Sequence, residues 1–79
     1  MNPRVKSVTT TTDYKLQLVF DNGEQGVYDC SDLLDFGIFR ELRDIDYFQQ
    51  AYLSFGTVAW PHEQDICPDT LYLGSSKGE

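Results

Sequence analysis

A chain of 79 residues holds one small domain, because at this length only about 60% of the unfolded surface is buried on folding, too little for two cores. Thirteen acidic against six basic side chains give a formal charge of −7, which argues against direct nucleic-acid binding, since that draws on clustered Lys and Arg, and favours a basic protein as partner. An apolar fraction of 41%, with five Tyr, five Phe and one Trp, excludes an intrinsically disordered chain.

The first twelve residues contain no apolar run of the kind found in a secretory leader. No window approaches the roughly 18 apolar residues of a membrane span, so a cytoplasmic protein with no membrane contact is expected. Cys30 and Cys67 could make at most one disulfide, thin reinforcement for a secreted domain, and are read as reduced thiols.

Val5 to Thr11 is β-branched and reads as a strand ending near Asp13, with the run Thr9 to Thr12 explained by strand propensity. Lys15 to Phe20 alternates, placing Leu16, Leu18 and Phe20 on one face, and Asn22-Gly23 is a strong hairpin signal because both positions tolerate positive φ. A two-residue turn there sets Asp21 opposite Glu24 and Leu18 opposite Val27. Tyr28 and Cys30 then face away from the core, and Asp29 falls opposite Leu16. A carboxylate on the buried side needs donors, so Asp29 or Ser31 is assigned a capping role.

Ser31 to Leu34 reads as a short helical turn, broken at Phe36-Gly37 and followed by a second helical stretch from Ile38 to Leu42. Asp44 is placed to cap a third piece, Ile45 to Ala51. Leu34, Ile38, Phe39, Leu42, Ile45 and Phe48 supply an apolar face for these helices. Tyr52 to Phe55 and Thr57 to Trp60 flank a turn near Gly56 and form a second hairpin, stopped by Pro61. The expected fold is α+β: a small antiparallel sheet of two hairpins plus an N-terminal strand, covered on one face by short helices. Residues 1–74 form the domain, and 75–79 are expected as a flexible tail.

Residues 60 to 72, WPHEQDICPDTLY, hold the densest group of chemically active side chains. Zinc needs three or four converging ligands, but the segment has one His and one Cys with no CxxC, HxxxH or HExxH spacing; the spaced ligands of an EF-hand loop are absent as well. A Cys67 nucleophile paired with His62 lacks an identifiable orienting residue or oxyanion hole. The structural reading accounts for more of the residues. Pro68 suits the first helical position with Asp69 beside it, and Cys67 or Asp65 stands at the cap. Trp60, Ile66, Leu71 and Tyr72 anchor the segment, leaving His62, Glu63 and Gln64 as a solvated crest. Asp65 is the carboxylate expected to be partly buried and hydrogen-bonded. As a candidate binding loop the segment offers Trp60, His62, Glu63, Asp65, Asp69 and Tyr72; no catalytic or metal-ligating residue and no cofactor is assigned.

The chain also resembles a small prokaryotic family of unknown function. The likeness rests on Leu16 to Glu24, Leu33-Leu34, Phe39 to Leu42 and Phe48. It is strongest in Gly56-Thr57-Val58-Ala59-Trp60-Pro61 and Asp65-Ile66-Cys67-Pro68-Asp69-Thr70-Leu71-Tyr72. The resemblance implies an α+β domain, found alone or fused to a C-terminal helix-turn-helix that this chain is too short to contain, and it implies no enzymatic activity or cofactor. Relatives commonly carry Asn-Gly after the Trp-Pro pair where this chain has His62-Glu63, so a longer or differently turned loop is expected. They are often encoded beside another small domain, an arrangement resembling toxin–antitoxin pairs.

Two functional readings follow. One is a non-enzymatic interaction or regulatory module whose acidic surface, with Asp21, Glu24, Asp32, Asp35, Glu41, Asp44 and Asp46, meets a basic protein partner. The other is a small-ligand-sensing or metal-dependent domain that uses the 60–72 loop with exposed Tyr28, Tyr47 or Tyr52, and requires a concave pocket. Both a monomer and a homodimer are compatible with the sequence, the second through an open strand edge.

Overall fold

The computed structural model describes residues 2–77. Strands β1 (Val5–Thr10), β2 (Lys15–Phe20) and β3 (Gln25–Asp29) form an antiparallel meander. The short strands β4 (Tyr52–Ser54), β5 (Thr57–Ala59) and β6 (Asp65–Ile66) form a second sheet in that order. A last strand, β7 (Ser76–Lys77), joins the free edge of β3, so the first sheet runs β1-β2-β3-β7. The α+β class is as expected, with the strands divided between two antiparallel sheets. Of the residues read as a tail, Ser76 and Lys77 pair with Val27 and Gly26, and 78 and 79 lie outside the described residues.

The first hairpin is present, but its register differs by one residue. Phe20 N–H donates to Glu24 O (2.8 Å) and Gly23 N–H to Phe20 O (2.9 Å), with Gly23 at φ 91, which is a three-residue loop closed by a left-handed residue. Leu16 therefore lies opposite Tyr28 and Leu18 opposite Gly26. A shift of one residue exchanges the two faces of β3. Tyr28 turns toward the core and is half-buried, Cys30 is fully buried, and Val27 and Asp29 face outward. Asp29 accepts the Ser31 N–H at 2.9 Å from a solvated position, but the cap residue of the helical turn is Cys30, which makes no side-chain cap bond, so neither Asp29 nor Ser31 is the cap expected. Gly26 permits a close approach, because a Cβ there would stand 2.7 Å from Ser75 Oγ.

Along the chain between β3 and β4 run two 3-10 helices, Ser31–Asp35 and Gly37–Arg43, and a single turn of α-helix, α1 (Ile45–Phe48). The break at Phe36 is extended backbone (φ −106, ψ 117). Asp44 caps α1 by accepting Asp46 N–H at 3.0 Å, as expected. After β6, helix α2 (Pro68–Gly74) starts with Pro68 in its first turn and Asp69 beside it, and Cys67 occupies the cap position without a side-chain hydrogen bond. Leu16, Leu18 and Phe20 from β2 meet Leu42, Phe48, Trp60 and Leu71 in one core. Burial pushes the Cys30 thiol up to about 12, helped by the nearby Asp29 carboxylate.

Candidate functional site

The 60–72 segment begins inside the core. Trp60 is fully buried, and its Nε1–H donates to Phe48 O at 2.8 Å. Trp60 N–H then donates to Gln64 O (2.9 Å) and Glu63 N–H to Trp60 O (3.1 Å), with Glu63 left-handed at φ 73. This is a three-residue loop of the same form as that at 20–24. Glu63, of the His62-Glu63 pair, occupies the left-handed position that Gly23 holds in the first hairpin.

Gln64 departs furthest from expectation. It is 1% exposed, the one buried polar side chain among the described residues, and it lies at the centre of a network. Tyr47 Oη donates to Gln64 Oε1 at 2.6 Å and accepts His62 N–H at 2.8 Å. Gln64 Nε2 donates to Ile38 O (3.0 Å) and to Glu41 Oε1 (2.9 Å). Glu41 Oε2 lies 2.5 Å from His62 Nδ1, and the His62 ring stacks on that of Tyr47 with centroids 5.1 Å apart. Gln64 thus ties the loop to the second 3-10 helix and to α1, using all of its polar atoms.

Strand alternation in β6 carried a signal for this inversion. Ile66 is inward and Asp65 outward, and extending that period of two back by one residue puts Gln64 inward. Asp65 is accordingly exposed and makes no side-chain hydrogen bond among the described residues, contrary to the expectation of partial burial. Tyr47, expected at the surface, is buried; Tyr28 is half-buried and Tyr52 exposed.

The remaining residues of the candidate loop point to different neighbours. Tyr72 Oη donates to Glu24 Oε1 at 2.6 Å, and Lys77 Nζ lies 4.2 Å above the Tyr72 ring. That bond, with a second from Asn22 Nδ2, holds the Glu24 carboxyl below its ordinary value and pushes the Tyr72 hydroxyl above its own. Asp69 faces Asn2 at 3.4 Å and lines, with Arg4 and Cys67, an open hollow of about 340 Å³. Another hollow, of about 380 Å³, lies on the outer face of the first sheet over Ser7, Thr9, Gln17, Val19, Gln25 and Val27. Cys67 is exposed and free, and no hydrogen bond joins it to His62, which is engaged with Glu41 and Tyr47. Among the described residues no three His, Cys, Asp or Glu side chains are grouped to hold a metal ion, and no helix is long and apolar enough to cross a membrane.

Chemically, the network runs from the buried Gln64 amide to the exposed His62 ring. The Tyr47 hydroxyl, the Gln64 amide and both Glu41 oxygens have partners within it, so these groups tie the loop to the second 3-10 helix and to α1, with the His62–Glu41 pair at its exposed rim. The surface offers binding features elsewhere. Phe36 and Ile38 are 64% and 63% exposed at the junction of the two 3-10 helices, and Tyr52, Leu53 and Phe55 are exposed on β4 and its turn. A family model described as "Protein of unknown function (DUF2442)" matches residues 5–77. No curated protein and no solved structure matches the chain.

Proposed function

The chain belongs to the family of proteins of unknown function DUF2442, and from its surface we propose that it is a non-catalytic interaction module that binds a basic partner protein through its helical face. The carrying observation is that Phe36 and Ile38 stand exposed in a stretch, residues 31–46, with five acidic side chains (Asp32, Asp35, Glu41, Asp44, Asp46) against Arg40 and Arg43. Arg43 is already bound to Asp35 and Leu34 O, while Asp32 and Asp46 make no side-chain hydrogen bond among the described residues. Exposed apolar anchors in a stretch of net negative charge fit a partner that presents an apolar pocket rimmed by Lys or Arg. The same charge disfavours nucleic acid. Masking of a basic toxin, an antitoxin-like role, is one regulatory form of this reading and rests on the family resemblance.

The test is co-expression of the untagged chain with its genomic neighbours, followed by purification at low and high salt. A basic protein should co-purify at low salt, leave at high salt, and be lost from a Phe36→Ser, Ile38→Ser double variant whose circular dichroism is unchanged. Retention of no partner at low salt, or capture indifferent to the double substitution, overturns the proposal.

A further inference from the structure

The turn joining β4 to β5 consists of Phe55 and Gly56, both left-handed at φ 50 and 80, which is the two-residue hairpin geometry. In that register Ser54 and Thr57 bond across the hairpin, so the N–H and C=O of Leu53, one step further, point away from β5. β4 is the outer strand of its sheet. β1 packs against both strands of this hairpin and hydrogen-bonds to it only at the turn, where Val5 N–H donates to Gly56 O (2.8 Å), and Arg4, just before β1, donates through Nη1 to Phe55 O (2.9 Å). No backbone hydrogen bond reaches Leu53 from that side among the described residues.

We infer that this open edge of β4 is a self-pairing site, through which two copies of the chain join antiparallel at Leu53 into one six-stranded sheet. Three observations converge on it. First, cross-strand neighbours Ile66, Val58 and Leu53 share one face of the sheet. The first two are buried, and Leu53 is 40% exposed, so an apolar row that begins in the core stops at the edge. Second, Phe55 is 93% exposed in a left-handed conformation that Asn or Gly adopts without strain, so neither turn chemistry nor burial accounts for an aromatic there. Third, residues 51–60 carry no charged side chain, in a chain with thirteen acidic and six basic residues. Exposed edges are ordinarily guarded by Lys, Pro or a bulge, and this one has none of these within β4.

The second copy fits because an antiparallel strand edge is self-complementary about a two-fold axis, and because the hairpin's own residues add no negative charge to a surface that otherwise repels its own kind, with Arg4 bonded at its turn. With the axis at Leu53, the row becomes Ile66, Val58, Leu53 and then Leu53, Val58, Ile66 of the second copy. The same register places Phe55 beside Ala51 and Tyr52 beside Ser54 across the axis.

Sedimentation velocity of the full chain over a wide concentration range, together with amide exchange by NMR, tests this. The mass should rise from one chain to two with concentration, more readily at high salt, which screens the repulsion between the acidic copies. Exchange at the Leu53 amide should slow as dimer forms, while the amides of β2 are unaffected. Leu53→Lys should give a single-chain mass with unchanged circular dichroism. Phe55→Asn should raise the melting temperature by relieving the turn, yet weaken self-association by about 10-fold or more, as expected for loss of an aromatic interface anchor; it keeps the test decisive if Leu53→Lys does not fold. A single-chain mass at millimolar concentration and high salt, a dimer whose Leu53 amide exchanges as fast as in the monomer, or a dimer that withstands Phe55→Asn overturns the inference.

Discussion

The loops at 20–24 and 60–64 solve the same backbone problem with different residues. Each starts from a buried aromatic, Phe20 or Trp60, and closes with the same two hydrogen bonds. Each ends in a residue whose side-chain oxygen accepts a tyrosine hydroxyl at 2.6 Å, Glu24 from Tyr72 and Gln64 from Tyr47. The first is specified locally: Gly23 fills the left-handed position and Asn22 Oδ1 accepts the Glu24 N–H at 3.0 Å. The second is specified from a distance, because Glu63 is a poor residue for φ 73 and the loop is held by Tyr47, Glu41 and Ile38 O. The polar closing residue matches its surroundings: a carboxylate where water reaches, an amide where it does not.

The largest difference between the loops should appear at that closing residue. Gln64→Leu keeps the volume but leaves the Tyr47 hydroxyl without its acceptor at a buried bond and Ile38 O without its donor at a part-buried one. A loss of about 2–4 kcal/mol is expected, read by urea unfolding. Glu24→Leu, where water can replace the lost partner, should cost less. An equal loss at the two positions would break the distinction between distant and local specification.

Next in size is the tyrosine itself. Tyr47→Phe removes the acceptor of His62 N–H together with the donor to Gln64, and should cost about 1–2 kcal/mol. The His62 amide should exchange faster in this variant while the Gly23 amide is unchanged. If both amides respond, the two loops are coupled through the core and the comparison fails.

How much of this was legible follows the same division. Leu16, Leu18 and Phe20 declared their face by alternation, Asp44 its cap, and Phe36-Gly37 the break between helices, because each is a local signal. Asn22-Gly23 announced a turn but fits both a two-residue and a three-residue loop. The choice decides which face Tyr28 and Cys30 occupy, and it is made by packing: Gly26, once inward, lets Ser75 approach. For the 60–72 segment the anchors Trp60, Ile66 and Leu71 were readable as apolar residues, whereas Gln64 reads as solvated until its hydrogen-bond partners, 17 to 26 residues away in sequence, are known. Asp65 was misplaced for the same reason, since the burial of its neighbour fixes its own exposure.

A smaller effect of opposite sign is expected at the left-handed position. Glu63→Gly removes the Cβ strain of φ 73 but gives the unfolded chain more freedom, and should stabilise by about 0.5–1 kcal/mol. Gly23→Ala should destabilise by a similar amount, because its φ of 91 is strained for any side chain. A melting temperature that falls in Glu63→Gly would mean that the Glu63 side chain holds the loop in a way its exposure does not suggest.

The subtlest contrast is in pH. Glu24 is the closing residue that titrates, and the Tyr72 hydroxyl holds its folded value below the unfolded one, so its contribution is present above the unfolded value and lost as pH falls through the folded one. Tyr72→Phe removes the main cause of that shift. The stability gap between wild type and this variant should therefore be widest at neutral pH and close as pH drops through the carboxylate range. Asp13, held low by Thr11, and Asp29, held low by Ser31, preserve an acid limb in both proteins. On the alkaline side the Tyr72 hydroxyl is raised, so its share is present below its unfolded value and disappears as pH rises through the folded one. The Tyr47–Gln64 bond has no carboxyl to protonate. Melting curves of Tyr72→Phe and Tyr47→Phe against wild type across the acid range should thus converge for the first pair and run parallel for the second; parallel curves for both would remove the carboxylate at Glu24 as the source of the difference between the loops.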